Sequence, residues 1–94
     1  MGKASRRKPA RLAEKLVQIR ERLGVSQNGI IRHLGLTDVI TRDNVSAYEL
    51  GRREPSLLVL LEYARAAGVC LDTLVDDRVD LPKKLPSNPK HKGR

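Results

Sequence analysis

Apolar residues recur along this chain at helical intervals, and a glycine closes each interval. Leu12, Leu16, Ile19 and Leu23 are spaced by four, three and four residues, which puts them on one face of a helix that Gly24 can end in the left-handed conformation. The pairing of an apolar stripe with a terminating glycine returns at Gly35, Gly51 and Gly68. No stretch alternates apolar and polar residues as a half-buried strand does. A chain patterned this way buries its apolar side only by packing short helices on one another.

The stripes give five expected helices. The first runs over 9–23, with Pro9 in its opening turn. Glu14, Lys15, Gln18, Glu21 and Arg22 fall mostly on its other faces. Ser26 caps the second, which buries Ile30, Ile31 and Leu34 and stops at Gly35. Leu36–Arg42 reads as a loop with one of Val39 and Ile40 tucked inward. Thr41 caps the third, with Asp43 in its first turn and Val45 and Tyr48 facing the core. Ser56 caps the fourth, over 57–67, with Leu58, Leu61 and Ala64 in register. A fifth is expected over 71–77. The fold class is therefore all-α, a compact bundle of five short helices. Its domain spans 9–78, between a disordered basic arm at 1–8 and a basic, proline-containing tail at 79–94.

Composition narrows the function. With 94 residues there is room for one small domain, and with two tyrosines and no Phe or Trp its core must be aliphatic. The net charge of +8 suggests an anionic partner. That charge is unevenly placed. Five cations lie in residues 1–11 and five in 82–94, with no acid in either segment, whereas residues 12–81 hold nine basic and eleven acidic side chains, net −2. The ends therefore contribute affinity without choosing a sequence, and any specificity must come from a few placed residues. The arm reads equally as a solubilising tail or as a segment that tracks phosphates.

Those residues carry a resemblance. LAEKLVQIRERLGVSQNGIIRHLGL followed by NVSAYELGRREPSLLVLLEYARAAGVCLDTL resembles the Cro/phage-repressor type of helix-turn-helix domain, the xenobiotic-response-element family of bacterial regulators. Its most specific strings are SAYELGRREPSL and GVSQ, and the similarity covers about residues 11–76. One departure stands out: the connection from Gly35 to Val45, through LTDVITRD, is longer than is usual in that family. The resemblance implies a lambda-repressor-like DNA-binding domain whose third helix enters the major groove. It places Arg42, Asp43, Asn44, Ser46 and Ala47 at base edges, Arg42 being suited to guanine and Asn44 to adenine. Ser26, Gln27, Asn28, Arg52 and Arg53 become phosphate contacts, and Arg20 and Glu49 a structural ion pair between the first and third helices. The implied function is a sequence-specific, double-stranded-DNA-binding transcriptional regulator, a repressor acting as a homodimer. The alternative is an antitoxin-like interaction module with a protein partner, docked through Leu57, Leu60, Val69 and Val75 or using them as its dimer surface.

Other chemistry finds little support. No nucleophile–base–orienter set and no phosphate-cradling loop occurs, so no enzyme activity and no cofactor are expected. His33 and His91 lack partners at metal-ligand spacing. Asp72, Asp76, Asp77 and Asp80 read as a solvated acidic face, Cys70 as a small buried residue, and Tyr48 and Tyr63 as core. The longest apolar run, Leu57–Leu61, is far short of a membrane span. One cysteine fits a reducing compartment, hence a cytoplasmic location, and the resemblance implies association with the nucleoid.

Overall fold

The computed structural model describes residues 8–86. The expectations for residues 1–7, most of the basic arm, and for 87–94 with His91, lie outside the described residues. The order is α1 (Leu12–Leu23), α2 (Gln27–Leu34), α3 (Arg42–Glu49), α4 (Leu57–Ala67) and α5 (Leu71–Val75), an all-helical bundle with no strand among the described residues. Helix α3 packs on α1 and α2, and α4 packs on α1, α2 and α5. One aliphatic core, with Leu16, Ile19, Ile30, Val45 and Leu74 fully enclosed, joins all five; Tyr48 and Tyr63 are buried within it. None of the described helices is long and apolar enough to cross a membrane.

Local chemistry sets the helix ends. The Ser26 hydroxyl accepts from the Gly29 N–H at 2.9 Å, and Ser56 accepts from the Val59 N–H at 3.3 Å. At Thr41 the cap is reciprocal. Thr41 Oγ1 accepts from the Asn44 N–H at 3.2 Å, and Asn44 Oδ1 accepts from the Thr41 N–H at 2.9 Å. Gly24 closes α1 at φ 73°, where a side chain would be strained, and its N–H reaches the Glu21 carbonyl at 3.0 Å. The long connection after Gly35 folds as one compact turn, in which the Val39 and Ile40 N–H groups both bond to the Leu36 carbonyl. Ile40 plugs into the core and Val39 is 64% exposed, so one of the pair is indeed tucked inward.

Several expectations are corrected. Helix α1 begins at Leu12 rather than at residue 9: Arg11, at φ −107° and ψ 4°, is its non-helical N-cap, and the Ala10 and Arg11 N–H groups donate to a side chain far along the chain. That side chain is Asp77: its Oδ2 accepts from Ala10 at 2.8 Å and its Oδ1 from Arg11 at 3.0 Å. In α4 the buried side is Val59, Leu60, Tyr63, Ala64 and Ala67, while Leu58 is 73% exposed and Leu61 half-buried. Residues 57–61 are apolar throughout, so periodicity alone leaves the register open. The Ser56 cap and the contacts with α1, α2 and α5 select it. Of the four residues expected on the outer surface, Leu60 is therefore in the core. Helix α5 ends at Val75, since Asp76 leaves the helical region at ψ 109°. Cys70 is exposed rather than buried, because it occupies the N-cap position of α5. Apolar packing continues past residue 78, with Leu81 buried and Leu85 against the core.

The largest departure is Lys15. It has no solvent exposure, and its ammonium donates to the carbonyls of Thr73 (2.8 Å), Asp76 (2.9 Å) and Val79 (2.7 Å). These are carbonyls at the end of α5 and in the turn beyond it, the pole of a helix that favours a cation. Asp77 thus caps the start of α1, and Lys15 of α1 caps the end of α5. Asp80 and Glu14 pair with Arg11 beside them, and Asp76 pairs with Arg78 at 3.0 Å. The acidic cluster is a fastening as well as a solvated face.

This fastening has a pH signature. The two backbone N–H groups that Asp77 accepts hold its carboxyl below the ordinary carboxylate range, and Arg78 does the same for Asp76. A carboxyl held low stabilises the fold above its unfolded value of about 3.9 and stops doing so as acid protonates it. Stability is therefore expected to fall as the pH drops below about 4. In Asp77→Asn that fall is expected to be shallower. Urea midpoints measured between pH 2 and 6 check this, and identical slopes for the two proteins would contradict it.

Candidate nucleic-acid interface

Glu49, the last residue of α3, holds three helices together. Its Oε2 accepts from Arg20 Nε of α1 at 2.7 Å, and its Oε1 accepts from Arg20 at 3.2 Å and from Gln27 Nε2 of α2 at 3.0 Å. A further Arg20 nitrogen reaches the Val25 carbonyl at 3.1 Å, in the turn between α1 and α2. The pair is largely enclosed, with side-chain exposures of 19% for Arg20 and 7% for Glu49. Paired with a carboxylate in this setting, the Arg20 guanidinium is held above its ordinary range. The angle between α2 and α3 is thereby fixed by a two-pronged ion pair and an amide.

Beneath this clamp lies the Tyr63 hydroxyl, buried and without a hydrogen-bond partner among the described residues. Burial is the main reason its phenol is pushed up, and the nearby Glu49 charge adds to it. An unmet buried hydroxyl costs about 1–3 kcal/mol, so Tyr63→Phe is expected to stabilise the domain by about 1 kcal/mol. A thermal midpoint raised by roughly 4–8 °C checks this, and a lowered one would contradict it.

On the outer side, Arg42 and Asp43 are exposed and Asn44, Ser46 and Ala47 are half-buried, while Val45 and Tyr48 turn inward. The Asn44 carbonyl oxygen is held by the Thr41 N–H, leaving its NH₂ end to point elsewhere. A two-pronged contact with adenine needs that oxygen as an acceptor, so it competes with the helix cap. Ser26 and Asn28 are exposed at the start of α2, and Gln27 is half-buried because its amide is turned to Glu49. Arg52 and Arg53 are exposed in the loop after α3, where their N–H groups both bond the Ala47 carbonyl, at 2.9 and 3.3 Å.

Charge pairing divides the surface in a way that composition hides. Arg11, Arg20, Arg65 and Arg78 meet carboxylates, and Lys15 and Arg22 bond carbonyls. Arg42 in α3 and Arg52 and Arg53 behind it have no carboxylate partner among the described residues. Folding thus pairs several cations and leaves others without a carboxylate among the described residues, Arg32 of α2 and these three around α3 among them. The sequence signals missed were Thr41-x-x-Asn44, which spells a reciprocal cap, and Lys15, whose partners are backbone atoms and so leave no mark in the sequence.

A sequence model of the helix-turn-helix domain family matches residues 11–77. The chain belongs to the helix-turn-helix domain family. No curated protein and no solved structure matches it. The matched segment begins and ends on Arg11 and Asp77, the two residues joined across the base of the helix-turn-helix domain at 3.0 Å. Within it, α2 and α3 with the turn at 35–41 form the helix-turn-helix itself, and DNA is the partner this family membership supports.

Proposed function

We propose that this protein is a sequence-specific transcriptional regulator of the Cro/phage-repressor type, a repressor that sets α3 in the major groove of duplex DNA. The observation that carries the reading is the Glu49 clamp: α1, α2 and α3 are locked by one carboxylate, while on the opposite side of α3 the side chains of Arg42, Asp43 and Ser46 have no partner among the described residues. A reader of base edges needs that combination of fixed angle and uncommitted side chains. Arg42, Asp43, Ser46 and Ala47 face the bases, with Asn44 contributing its NH₂ end. Ser26, Gln27 and Asn28, and Arg52 and Arg53, take the flanking phosphates. In this reading repression follows from occupancy of the operator.

Leu57 and Leu58 are adjacent, about 70% and 73% exposed, at the start of α4. An apolar pair of this kind suits a protein contact. A second copy of the chain is the occupant that an inverted-repeat operator requires, with half-sites about 10 bp apart. A heterologous partner there would make the protein an antitoxin-like module instead. Selection of bound sequences from a random duplex pool tests the reading. Enrichment of paired half-sites at about one helical turn supports it, and an unenriched pool overturns it.

A further inference from the structure

Outside the face of α3, two concavities share Lys8: one holds Asp76, Asp77 and Arg78, and the other, toward the loop after α3, is the richer in cations. The latter, a cleft of about 370 Å³, lies between the root of the N-terminal arm and the loop joining α3 to α4. Its lining combines Pro9, Ala13, Tyr48 and Pro55 with Lys8, Arg52, Arg53 and Glu54. Three cations against one carboxylate give the cleft a positive balance. None of the three is paired with a carboxylate among the described residues.

Lys8 has so far entered only as one of the arm's cations. It belongs to the basic arm in sequence, yet in the fold it shares a cleft with the two arginines that follow α3. Its approach is fixed from behind. Asp77 holds the N–H groups of Ala10 and Arg11, two and three residues further on, and Pro9 stiffens the link between them. We propose that this cleft is a second contact for the sugar–phosphate backbone of duplex DNA, with Lys8 and Arg53 bracketing one stretch of strand. An apolar lining suits the deoxyribose, and cations around it suit the phosphates. Glu54 limits the site to the cation-rich side. Asp77 is a positioning residue for Lys8, acting through the backbone it holds. The proposal rests on the duplex-DNA reading given under Proposed function, and extends its footprint from the loop behind α3 to the arm root.

The test uses the full chain and the duplex recovered by selection. Affinity is measured by fluorescence anisotropy from 50 to 200 mM salt for wild type, Lys8→Ala and Arg65→Ala. Arg65 is a cation on α4 that pairs with Glu62 and lies outside the cleft, so it controls for net charge. Lys8→Ala is expected to lower the slope of log K against log salt by about 0.9, roughly 3.5-fold in affinity over that fourfold salt range. Arg65→Ala is expected to leave the slope at the wild-type value. In a cycle with Arg53→Ala, the double variant is expected to lose less than the sum of the single losses, because both cations face the same strand. A Lys8→Ala slope equal to wild type, or a change matched by Arg65→Ala, overturns the cleft while selective binding by wild type leaves the reading of α3 intact. Equal affinity of wild type for selected and random duplexes overturns that reading, and the proposal with it. Lys8 is exposed, so these variants keep the fold, and unchanged thermal midpoints verify it.

Discussion

Lys15→Met is expected to destabilise the domain by about 2 kcal/mol or more. Methionine matches the volume of lysine and removes an ammonium that is costly to bury, both of which favour the variant. Against this stand three carbonyls, on Thr73, Asp76 and Val79, that each lose a donor within 2.9 Å. The Asp76 carbonyl keeps the Val79 N–H at 3.1 Å, whereas those of Thr73 and Val79 are left without the ammonium, at about 1–3 kcal/mol for each, so the loss outweighs the gain. A domain of this size has only about 4–12 kcal/mol in total, so the change is a large share of it. Urea unfolding followed by circular dichroism measures the effect. A variant as stable as wild type would show that water serves those carbonyls as well as Lys15 does.

The second large effect lies at Glu49. Glu49→Ala leaves Arg20, four-fifths enclosed, without its carboxylate, and strands the Gln27 amide as well. Removing one partner of a buried pair costs about 3–5 kcal/mol, and the residual exposure of Arg20 puts the expected value near the lower end. A purely structural pair and one that aims α3 are separated by the double variant Arg20→Met with Glu49→Leu. Well-packed apolar replacements often restore stability. Recovery of the urea midpoint without recovery of selective DNA affinity is the expected outcome, because the apolar pair fills the space without fixing the angle. Recovery of both would reduce the pair to a stabilising role.

The helices were legible because their signals are local. The stripe of Leu12, Leu16, Ile19 and Leu23, the caps Ser26, Thr41 and Ser56, and the glycines with positive φ at 24, 35, 51 and 68 each act within a few residues. What failed was long-range or degenerate. Lys15 and Asp77 are 62 positions apart and their bonds are to backbone, so no pairing of side-chain types points from one end of the domain to the other. The register of α4 was hidden because residues 57–61 are apolar on every face. The Asn44 side chain was legible as polar and outward, but its commitment to the Thr41 N–H emerges only from the cap geometry.

The net charge of the middle segment hides where its cations stand. A balance of −2 over residues 12–81 suggests a surface indifferent to DNA. In the fold Glu14, Glu49, Glu62, Asp76 and Asp80 are tied to arginines within the domain, and Arg42, Arg52 and Arg53 remain open around α3. Local distribution, rather than the sum, governs what the surface attracts.

The central claim is that α3 reads sequence. The most direct measurement is the affinity of the full chain for a selected duplex and for random duplex at physiological salt, in wild type and in Ser46→Ala with Arg42→Ala. The account predicts a wild-type preference of about 10³-fold or more, reduced by about 1–3 kcal/mol for each base contact removed, with the affinity for random duplex changed far less. Equal affinities of wild type for the two duplexes, or variants that weaken both duplexes alike, would contradict it.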